Sequence, residues 1–271
     1  MSATTISILG CGWLGFPLGQ YLKSLQYTVK GSTTHPEKIS SLEKVGISPY
    51  LIHCQPQVVG DHLKDFLEAN ILFLNIPYQR DLKDPYYYKE QIKSVVASVD
   101  SSPIDFVIFA SSTSVYPEQD GLALEEQTII PDDPRAEVLL EIEEMLLRSR
   151  HFAATVLRFA GLYGGTRKIG QFLSGKTSLT DGSSPVNLVH LDDCIQIIAQ
   201  IIQQNVRGDI FNVCSDAHPS RKELYSKAAQ RLNLPPPQFD DSSHGRHKIV
   251  SNRKLKERLQ YQFIHPDPSA L

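Results

Sequence analysis

Short segments that are apolar along their whole length alternate with helical patterns over the first 160 or so residues. Strands of this kind are buried on both faces, which is typical of a parallel sheet covered by helices on either side. The intervening segments, such as PYYYKEQIKSVVASV, carry apolar residues at helical spacing. Because crossovers between parallel strands are right-handed, the alternation predicts a doubly wound α/β fold. The predicted strands are TTISILG, YTVKGS, SPYLIHC, NILFLNIP, PIDFVIFASS and FAATVLRFAG.

The pattern loosens after about residue 165, where Gly, Ser and Thr become frequent. A helix LDDCIQIIAQIIQQ, a short strand DIFNVCS and a helix SRKELYSKAAQRL follow. We therefore predict a main domain over residues 1–165 and a smaller C-terminal lobe over residues 166–271. In the main domain the clearest helix begins at PRAEVLL, with Asp133 as its cap and Pro134 in its first position.

Composition narrows the class of protein. Of 271 residues, 41% are apolar and 21% charged, and the formal net charge is -3. Such a net charge gives no strong electrostatic field that would attract nucleic acid or an anionic membrane. No apolar run is long enough to span a bilayer. Its four cysteines are scattered without metal-binding spacing, which favours reduced thiols and a cytoplasmic location. The expected partner is a small molecule, and the oligomeric state stays open.

The first strand runs into the loop ILGCGWLG, where Gly10, Gly12 and Gly15 have G-x-G-x-x-G spacing. Between a strand and a helix this spacing predicts a dinucleotide site. Gly10 permits the tight turn, Gly12 lets the backbone approach a pyrophosphate, and Gly15 allows close packing of helix on strand. Trp13 and Leu14 belong to the same predicted contact surface. The alternative is a tight turn that binds nothing.

The end of the second strand, KGSTTHPEK, selects between cofactors. An NAD site usually places an acidic residue here for the ribose hydroxyls, and the first one is Glu37. Hydroxyls and a cation suit the 2′-phosphate of NADP, which a carboxylate would repel. The predicted NADP contacts are Ser32, Thr33, Thr34, His35 and Lys38. NAD remains possible, and the hydroxyls are also compatible with a plain helix cap.

Four stretches, GCGWLGFPLG, FASSTSVY, LRFAGLYGG and NLVHLDD, together with the tail IVSNRKLKERLQYQF, cover nearly the whole chain. In this order they resemble the extended short-chain dehydrogenase/reductase superfamily, in its NAD(P)-dependent epimerase/dehydratase branch. The resemblance implies a Rossmann domain followed by a smaller substrate-binding lobe. The glycine spacing departs from the G-x-x-G-x-x-G usual in that branch, so the chain resembles an atypical subgroup.

The resemblance also implies a catalytic serine three residues before a Val-Tyr pair. Val115 and Tyr116 therefore select Ser112, which would hydrogen-bond the substrate oxygen. Neighbouring side chains alternate across a strand, so Ser111 is expected to face the other way. In the sugar-nucleotide dehydratases Asp-Glu follows this position, whereas Thr113 follows here, which argues against 4,6-dehydration.

A Tyr-x-x-x-Lys pair should follow on the next helix, but no lysine in this chain has a tyrosine four residues earlier. The lysine matters because a phenol with a pKa near 10 is a poor proton acceptor at neutral pH without a nearby cation. When Glu143-x-x-Leu146 is aligned with the corresponding helix of the resembled family, Arg135 falls at the tyrosine position and Leu139 at the lysine position. The glutamates of this helix, Glu141, Glu143 and Glu144, are expected on a solvated face.

Other tyrosines follow predicted strands and offer a replacement acid. Tyr116 and Tyr163 are the candidates, and Tyr78 is a further one; for each, ordinary cleft packing is the alternative. By resemblance, Asn187 would point into the cleft. His190 is expected to be a hydrogen-bonded structural residue ahead of a helix whose caps are Asp192 or Asp193.

In the second lobe Arg167 and Lys168 could meet an anionic substrate, or simply form a solvated basic loop. Two functions remain open. One is an NADP-dependent oxidoreductase or epimerase-like enzyme acting on a small hydroxyl- or carbonyl-bearing substrate. The other is a nucleotide-sensing or regulatory module that kept the cofactor cradle and lost catalysis. The serine strand favours the first function, and the missing Tyr/Lys pair favours the second.

Overall fold

The computed structural model describes residues 4–78, 84–240 and 247–270. The strands are β1 Thr5–Leu9, β2 Thr28–Thr33, β3 Ser48–Leu51, β4 His53–Cys54, β5 Val58–Val59, β6 Ile71–Leu74, β7 Phe106–Ser112, β8 Gly121–Ala123, β9 Ala153–Phe159, β10 Gly161–Tyr163, β11 Leu188–His190, β12 Ile210–Val213 and β13 Lys248–Val250. The helices are α1 Gly15–Ser24, α2 Ile39–Lys44, α3 Leu63–Leu67, α4 Tyr86–Val99, α5 Pro134–Leu147, α6 Ile169–Phe172, α7 Leu191–Gln204, α8 Arg221–Arg231 and α9 Arg253–Leu259.

A seven-stranded sheet forms the centre, in the order β12-β9-β7-β6-β1-β2-β3. The pairings of β1 with β2 and β6, of β2 with β3, and of β6 with β7 are all parallel. The chain moves outward from β1 to β3 and then returns to the other side of β1 with β6. This reversal is the switch point of a doubly wound sheet, where ligands bind beyond the strand ends. The predicted fold class is confirmed.

The segment DIFNVCS, predicted as a strand of the smaller lobe, becomes β12 and lies in the central sheet. The Val156 amide donates to the Asp209 carbonyl at 2.9 Å, and the Ala160 amide donates to the Val213 carbonyl at 3.0 Å. An apolar run predicts that a strand forms, whereas its partner is chosen by packing between distant parts of the chain. The predicted strand is therefore confirmed, and its pairing in the central sheet is a long-range contact that no local pattern predicts.

The start of α5 follows from local chemistry. The Asp133 side chain accepts a 2.7 Å hydrogen bond from the Arg135 amide, and Pro134 occupies the first turn. Both features satisfy the helix start without any distant partner, which is why the sequence predicts them. None of the helices in the described residues is long and apolar enough to cross a membrane.

The described residues divide into two compact units. The first draws on Met1–Val115, Pro131–Leu157 and Ala199–Ile210, and the second on Tyr116–Ile130, Arg158–Ile198 and Phe211–Leu271. The two units interleave along the chain, so the predicted substrate-binding lobe over residues 166–271 stays a prediction. Within the second unit β10 pairs with β11 and β8 with β13, both in parallel. Its apolar cluster comprises Tyr163, Ile169, Val186, Leu188, Leu224 and Ala228.

Candidate functional site

Two of the three loop glycines are required by the packing of the protein itself. Gly10 has a φ of +112°, and a Cβ on it would lie 2.5 Å from the Asn75 carbonyl oxygen. The Asn75 side chain also donates a hydrogen bond from Nδ2 to the Gly10 carbonyl oxygen at 2.9 Å. A Cβ on Gly15 would lie 2.2 Å from the same Gly10 carbonyl oxygen. The turn and the start of α1 therefore close only with glycine at these two positions.

Gly12 differs from both. Apart from Gly12 itself and its two chain neighbours, no atom of the described residues would lie within 4 Å of a Cβ on Gly12, and its φ is not in the left-handed region. The backbone turns into a helix here, since the Phe16 amide donates to the Gly12 carbonyl at 3.1 Å. Leu14, the cap residue of α1, supplies no side-chain hydrogen bond and is buried, while Trp13 is half-buried. The loop thus offers an open backbone surface at a helix start, a suitable geometry for a phosphate.

Ser32 fastens this loop to the end of β2. Its buried hydroxyl accepts a hydrogen bond from the Gly10 amide at 2.9 Å, and its carbonyl accepts one from the Cys11 amide at 2.8 Å. Cys11 is also buried, and burial raises the pKa of its thiol to about 12. The recorded contacts of Ser32 therefore position the loop, and Cys11 is a packing residue.

The other predicted 2′-phosphate contacts lie on the surface beyond β2, apart from Thr33. The buried Thr33 hydroxyl accepts from the His35 amide at 3.1 Å, which shapes the turn. Thr34, His35 and Lys38 are exposed, and a 3-10 turn covers Pro36–Lys38. The His35 imidazole lies 3.2 Å from the Glu37 carboxylate. The strand end therefore presents both a cation and a carboxylate to solvent.

The two serines at the end of β7 have different surroundings. The Ser111 hydroxyl donates to the Glu143 carboxylate at 2.6 Å, and both side chains are buried. Ser112 is half-buried, and its hydroxyl oxygen accepts from the Ser114 amide at 3.1 Å. This acceptor role leaves the Ser112 O–H proton for another acceptor. Of the two serines, Ser112 is therefore the one equipped to orient a substrate oxygen.

The prediction that Glu143 lies on a solvated face was wrong, because its exposed fraction is 2%. It follows Ile142 and lies one helical turn from Leu139 and Leu146, and these three apolar residues are buried. Helical spacing places all four on the inward stripe of α5. The position of Glu143 in the helical repeat therefore indicated that it would be buried, whereas its charge indicated the opposite. Glu144, in contrast, is exposed as expected.

The positions aligned with the lost pair also lie in the first unit. Arg135 is exposed, and its guanidinium carbon lies 6.0 Å from the centre of the Tyr78 ring. Tyr78 in turn packs edge-on against Tyr88, with ring centres 5.2 Å apart. Leu139 has an exposed fraction of 5%. A lysine at this position would therefore have to replace part of the apolar core.

In the second unit Tyr116 lies inside a polar network. Its hydroxyl donates to the Asn212 side-chain oxygen and accepts from the Arg158 guanidinium, both at 2.8 Å. The Asn212 amide in turn donates to the Glu125 carboxylate at 2.8 Å. Burial raises the pKa of the Tyr116 phenol, while the adjacent Arg158 acts in the opposite direction. Arg158 was not predicted as a site residue, although a lone charge within the apolar strand FAATVLRFAG was a usable signal.

Tyr163 belongs to the apolar cluster of the second unit. Its ring lies edge-on to His190, with centres 4.9 Å apart, and burial raises the pKa of its phenol. The next residue, Gly164, has a φ of +104°, and a Cβ there would lie 2.4 Å from the His190 Nε2 atom. Burial lowers the pKa of His190. The structure thus brings the His190 imidazole against the Tyr163 ring and the Gly164 backbone.

At the start of α7, the Asp192 amide donates to the His190 Nδ1 atom at 3.2 Å. The His190 imidazole therefore accepts a backbone hydrogen bond at the start of the helix, as expected for a structural histidine. Asp193, expected as a possible cap, is buried and accepts from the Tyr261 hydroxyl and the Ile264 amide. Its carboxylate therefore binds the C-terminal segment, a contact between distant residues that no local pattern predicts.

The remaining residues that the sequence singled out as site candidates also lie in the second unit. The Asn187 side chain, predicted to point into a cleft, donates to the Lys248 carbonyl at 2.9 Å and accepts from the Val250 amide at 2.8 Å. These bonds tie it to β13. Arg167 and Lys168 are exposed. The Arg167 and Gly164 backbones exchange two 2.9 Å hydrogen bonds.

No family model matches the chain. Protein YeeZ of Escherichia coli strain K12 is 35% identical over 266 residues, which cover 97% of each protein. UDP-glucuronic acid 4-epimerase from Bacillus cereus, solved with UDP-glucuronic acid and NAD, has a TM-score of 0.78 at 20% identity, over 98% of this chain and 96% of that one.

A short-chain dehydrogenase/reductase superfamily protein from Agrobacterium tumefaciens, solved with bound NAD, has a TM-score of 0.76 at 17% identity, over 96% of this chain and 92% of that one. At these identities the two solved structures establish the fold, and YeeZ establishes the closer kinship. The chain therefore belongs to the same family as YeeZ of Escherichia coli, and its fold is that of the short-chain dehydrogenase/reductase superfamily.

Proposed function

We propose that this protein binds a nicotinamide dinucleotide at the Gly10–Gly15 loop, NADP in preference to NAD, and acts as an oxidoreductase or epimerase-like enzyme. Its substrate is a small molecule with a hydroxyl or carbonyl group. The proposal rests on the loop geometry, with Ser112 as the group that orients the substrate oxygen.

The observation that carries the proposal is the open surface at Gly12. Gly10 and Gly15 are glycines because a Cβ would collide with the Asn75 and Gly10 carbonyls. Gly12 has neither a steric nor a backbone reason, since its Cβ would meet nothing within 4 Å among the described residues. A ligand from outside the chain supplies the reason, because a pyrophosphate needs close access to backbone amides at a helix start.

Calorimetric titration of the Gly12→Val variant with NADPH and NADH tests this binding site. Since the side chain enters open space, the free energy of unfolding should stay within about 0.5 kcal/mol of the wild type. Both cofactors should bind at least about tenfold more weakly, equivalent to a binding loss of about 1.4 kcal/mol. Wild-type affinity in a folded Gly12→Val variant would exclude the loop as the pyrophosphate site.

The preference for NADP is supported by the surface beyond β2. Thr34, His35 and Lys38 are exposed and can donate hydrogen bonds, and Lys38 carries a positive charge. The Glu37 carboxylate lies 3.2 Å from the His35 imidazole, so this surface also carries the kind of group that binds the ribose hydroxyls of NAD. The Bacillus cereus and Agrobacterium tumefaciens neighbours were solved with NAD, which makes NAD the competing cofactor. We favour NADP because Lys38 can form a charge-assisted hydrogen bond with its 2′-phosphate, a group that NAD lacks.

The Lys38→Ala variant tests this preference, with the exposed Lys44→Ala on the last turn of α2 as the matched control. Loss of a charge-assisted hydrogen bond costs about 1.5–3 kcal/mol, so NADPH should bind roughly ten- to a hundredfold more weakly to Lys38→Ala. NADH affinity should be unchanged in both variants. Tighter binding of NADH than NADPH by the wild type would contradict the preference.

A bound nicotinamide cofactor would supply the hydride for reduction of a substrate carbonyl, and the substrate oxygen would then need a proton from the protein. Ser112 has an O–H proton available for the substrate oxygen, since its own oxygen accepts from Ser114. Tyr116 and Tyr163 remain the proposed proton donors. Burial raises the pKa of both phenols, so both carry their proton at neutral pH. Arg158 would stabilise the phenolate of Tyr116 after proton transfer, as a lysine would elsewhere.

A second function, nucleotide sensing without turnover, is favoured by one observation: Leu139 is part of the core where the superfamily resemblance implies a lysine. An NADPH-oxidation screen over aldehydes, ketones and nucleotide sugars separates the two functions. UDP-glucuronic acid, the ligand of the Bacillus cereus neighbour, is tested separately for an epimerised product, because epimerisation consumes no NADPH overall. Turnover that is lost in Ser112→Ala supports the enzyme. Cofactor binding with no turnover across the screen supports the sensor.

A further inference from the structure

Three potential metal ligands meet at the start of α7 in the second unit. The Asp192 Oδ2 atom lies 3.4 Å from His190 Nδ1 and 3.1 Å from His265 Nε2. The two imidazole rings lie against each other, with centres 3.7 Å apart and planes inclined at 40°. One donor atom from each of the three residues falls within 4.8 Å of the other two. The cluster thus combines two imidazole nitrogens with one carboxylate oxygen.

The protonation of His190 follows from its hydrogen bond. The Asp192 backbone amide donates to Nδ1 at 3.2 Å, and an amide N–H cannot accept, so Nδ1 presents a lone pair. The Asp192 carboxylate oxygen, also an acceptor, lies 3.4 Å from this same nitrogen. Two acceptors therefore face each other without a proton between them. A cation at this point would satisfy both lone pairs.

The protein holds the third ligand in place from a distant segment. Asp193 is fully buried, and its carboxylate accepts from the Ile264 amide at 2.7 Å and from the His265 amide at 3.1 Å. The Tyr261 hydroxyl donates to the same carboxylate at 2.8 Å. His265 is thus fixed opposite His190, although 75 positions separate the two along the chain numbering. Such supporting hydrogen bonds are what orient ligands in metal sites.

We propose that His190, Asp192 and His265 bind a divalent transition-metal ion of the zinc class. Ligands at about 2.0–2.1 Å from a tetrahedral ion lie about 3.3–3.4 Å from one another. The separation of 3.4 Å equals this edge, the separation of 3.1 Å is slightly shorter, and the donor atoms of the two histidines lie within 4.8 Å of each other. Three protein ligands leave a fourth position for water or another small ligand. Binding exchanges two hydrogen bonds, from the Asp192 amide to His190 Nδ1 and between His265 Nε2 and the Asp192 carboxylate, for bonds from these three side chains to the metal.

The ligand set selects the class of ion. Imidazole suits zinc, copper and nickel, whereas magnesium and calcium prefer sites built from oxygen. The bound ion would fix the segment around His265 to the start of α7. The inference stands on the second unit alone, so it is independent of the proposed dinucleotide site.

Calorimetric titration of the tag-free, chelator-treated chain with zinc chloride, and with magnesium chloride as the comparison ion, tests the site. The wild type should bind one zinc ion per chain and no magnesium. Asp192→Asn and His265→Ala should each weaken zinc binding at least about tenfold, the smallest effect typical even of outer-shell changes. The side chains of Asp192 and His265 are 55% and 34% exposed, so both variants should fold.

Two control variants complete the experiment. His151→Ala removes an exposed imidazole and should leave zinc affinity unchanged. Cys54→Ser removes a half-buried thiol and should also leave it unchanged. Zinc should raise the melting temperature of the wild type but not that of His265→Ala. Equal zinc affinity in the wild type and His265→Ala, or no zinc binding by the wild type, would overturn the proposal.

Discussion

The Ser111 hydroxyl donates a 2.6 Å hydrogen bond to the Glu143 carboxylate, and neither side chain reaches solvent appreciably. This contact ties the end of β7 to the inward face of α5. A buried carboxylate is costly unless it is hydrogen-bonded, so the pair fixes the register of strand against helix. Because neighbouring side chains alternate, the same contact turns Ser112 the other way.

Ser111→Ala should lower the free energy of unfolding by about 1–3 kcal/mol, because it leaves the buried Glu143 carboxylate with one partner fewer. Ser112→Ala is the matched control, since its half-buried hydroxyl accepts a local hydrogen bond from Ser114. Its loss should stay within about 0.5 kcal/mol. Urea denaturation measures both values. Equal losses in the two variants would show that the Ser111–Glu143 contact contributes little.

Gly15→Ala should destabilise the protein, in contrast to a substitution at Gly12. Its Cβ would lie 2.2 Å from the Gly10 carbonyl oxygen, so the helix must shift away from the strand. Overpacking of this kind costs about 1–3 kcal/mol. Thermal and urea unfolding of Gly12→Ala and Gly15→Ala provide the comparison. If Gly15→Ala were as stable as the wild type, the close packing at this turn would be incorrect.

Restoring a lysine at position 139 should damage the fold before it affects activity. Leu139 is 5% exposed, and burying an ammonium group without a partner costs more than about 2 kcal/mol. Arg135→Tyr, at an exposed position of the same helix, should change the free energy of unfolding by less than about 0.5 kcal/mol. A Leu139→Lys variant with wild-type urea stability would mean that this side of α5 admits solvent.

Tyr116→Phe separates a structural role of this tyrosine from a catalytic one. Removing the hydroxyl leaves buried groups of Arg158 and Asn212 without one of their partners, at a cost of about 1–3 kcal/mol. If Tyr116 is the proton donor, turnover should also fall by about 10²- to 10⁴-fold. Turnover is measured with whichever substrate the NADPH-oxidation screen yields. Unchanged turnover in the folded variant would leave Tyr163 as the remaining candidate of the two.

Stability should fall on acidification partly through His218. Burial lowers the pKa of its imidazole below the ordinary value of 6.5, so the folded state disfavours the proton. Below about pH 6.5 the unfolded chain binds this proton first, and the free energy of unfolding falls as the pH drops toward the lowered pKa. Urea denaturation at pH 7.5, 6.5 and 5.5 should show a shallower decline in His218→Asn. Identical slopes would contradict this assignment.

The strands of the central sheet, the Gly10–Gly15 loop and the start of α5 could be predicted from the sequence, because each depends on local chemistry. The alternation of strand-like runs with helical patterns predicted the six strands from β1 to β9 that enter the central sheet. Four of them, β1, β6, β7 and β9, are buried along almost their whole length, and a strand buried on both faces must be largely apolar. The strand–glycine–helix order predicted the Gly10–Gly15 turn, and Asp133 with Pro134 predicted the start of α5. Each of these depends on residues that are close in sequence, so a pattern of a few residues contains the information.

Tertiary structure decided the partners of the polar side chains. Glu143 was assigned to solvent from its charge, yet the packing of α5 on β7 brings it to Ser111. β12 was predicted as a strand without a partner, and its backbone groups pair beside β9 in the central sheet. Asp193 and His265 meet across 72 residues. A buried polar group must find a hydrogen-bond partner wherever the fold provides one, and that partner is set by long-range packing that a local sequence pattern does not contain.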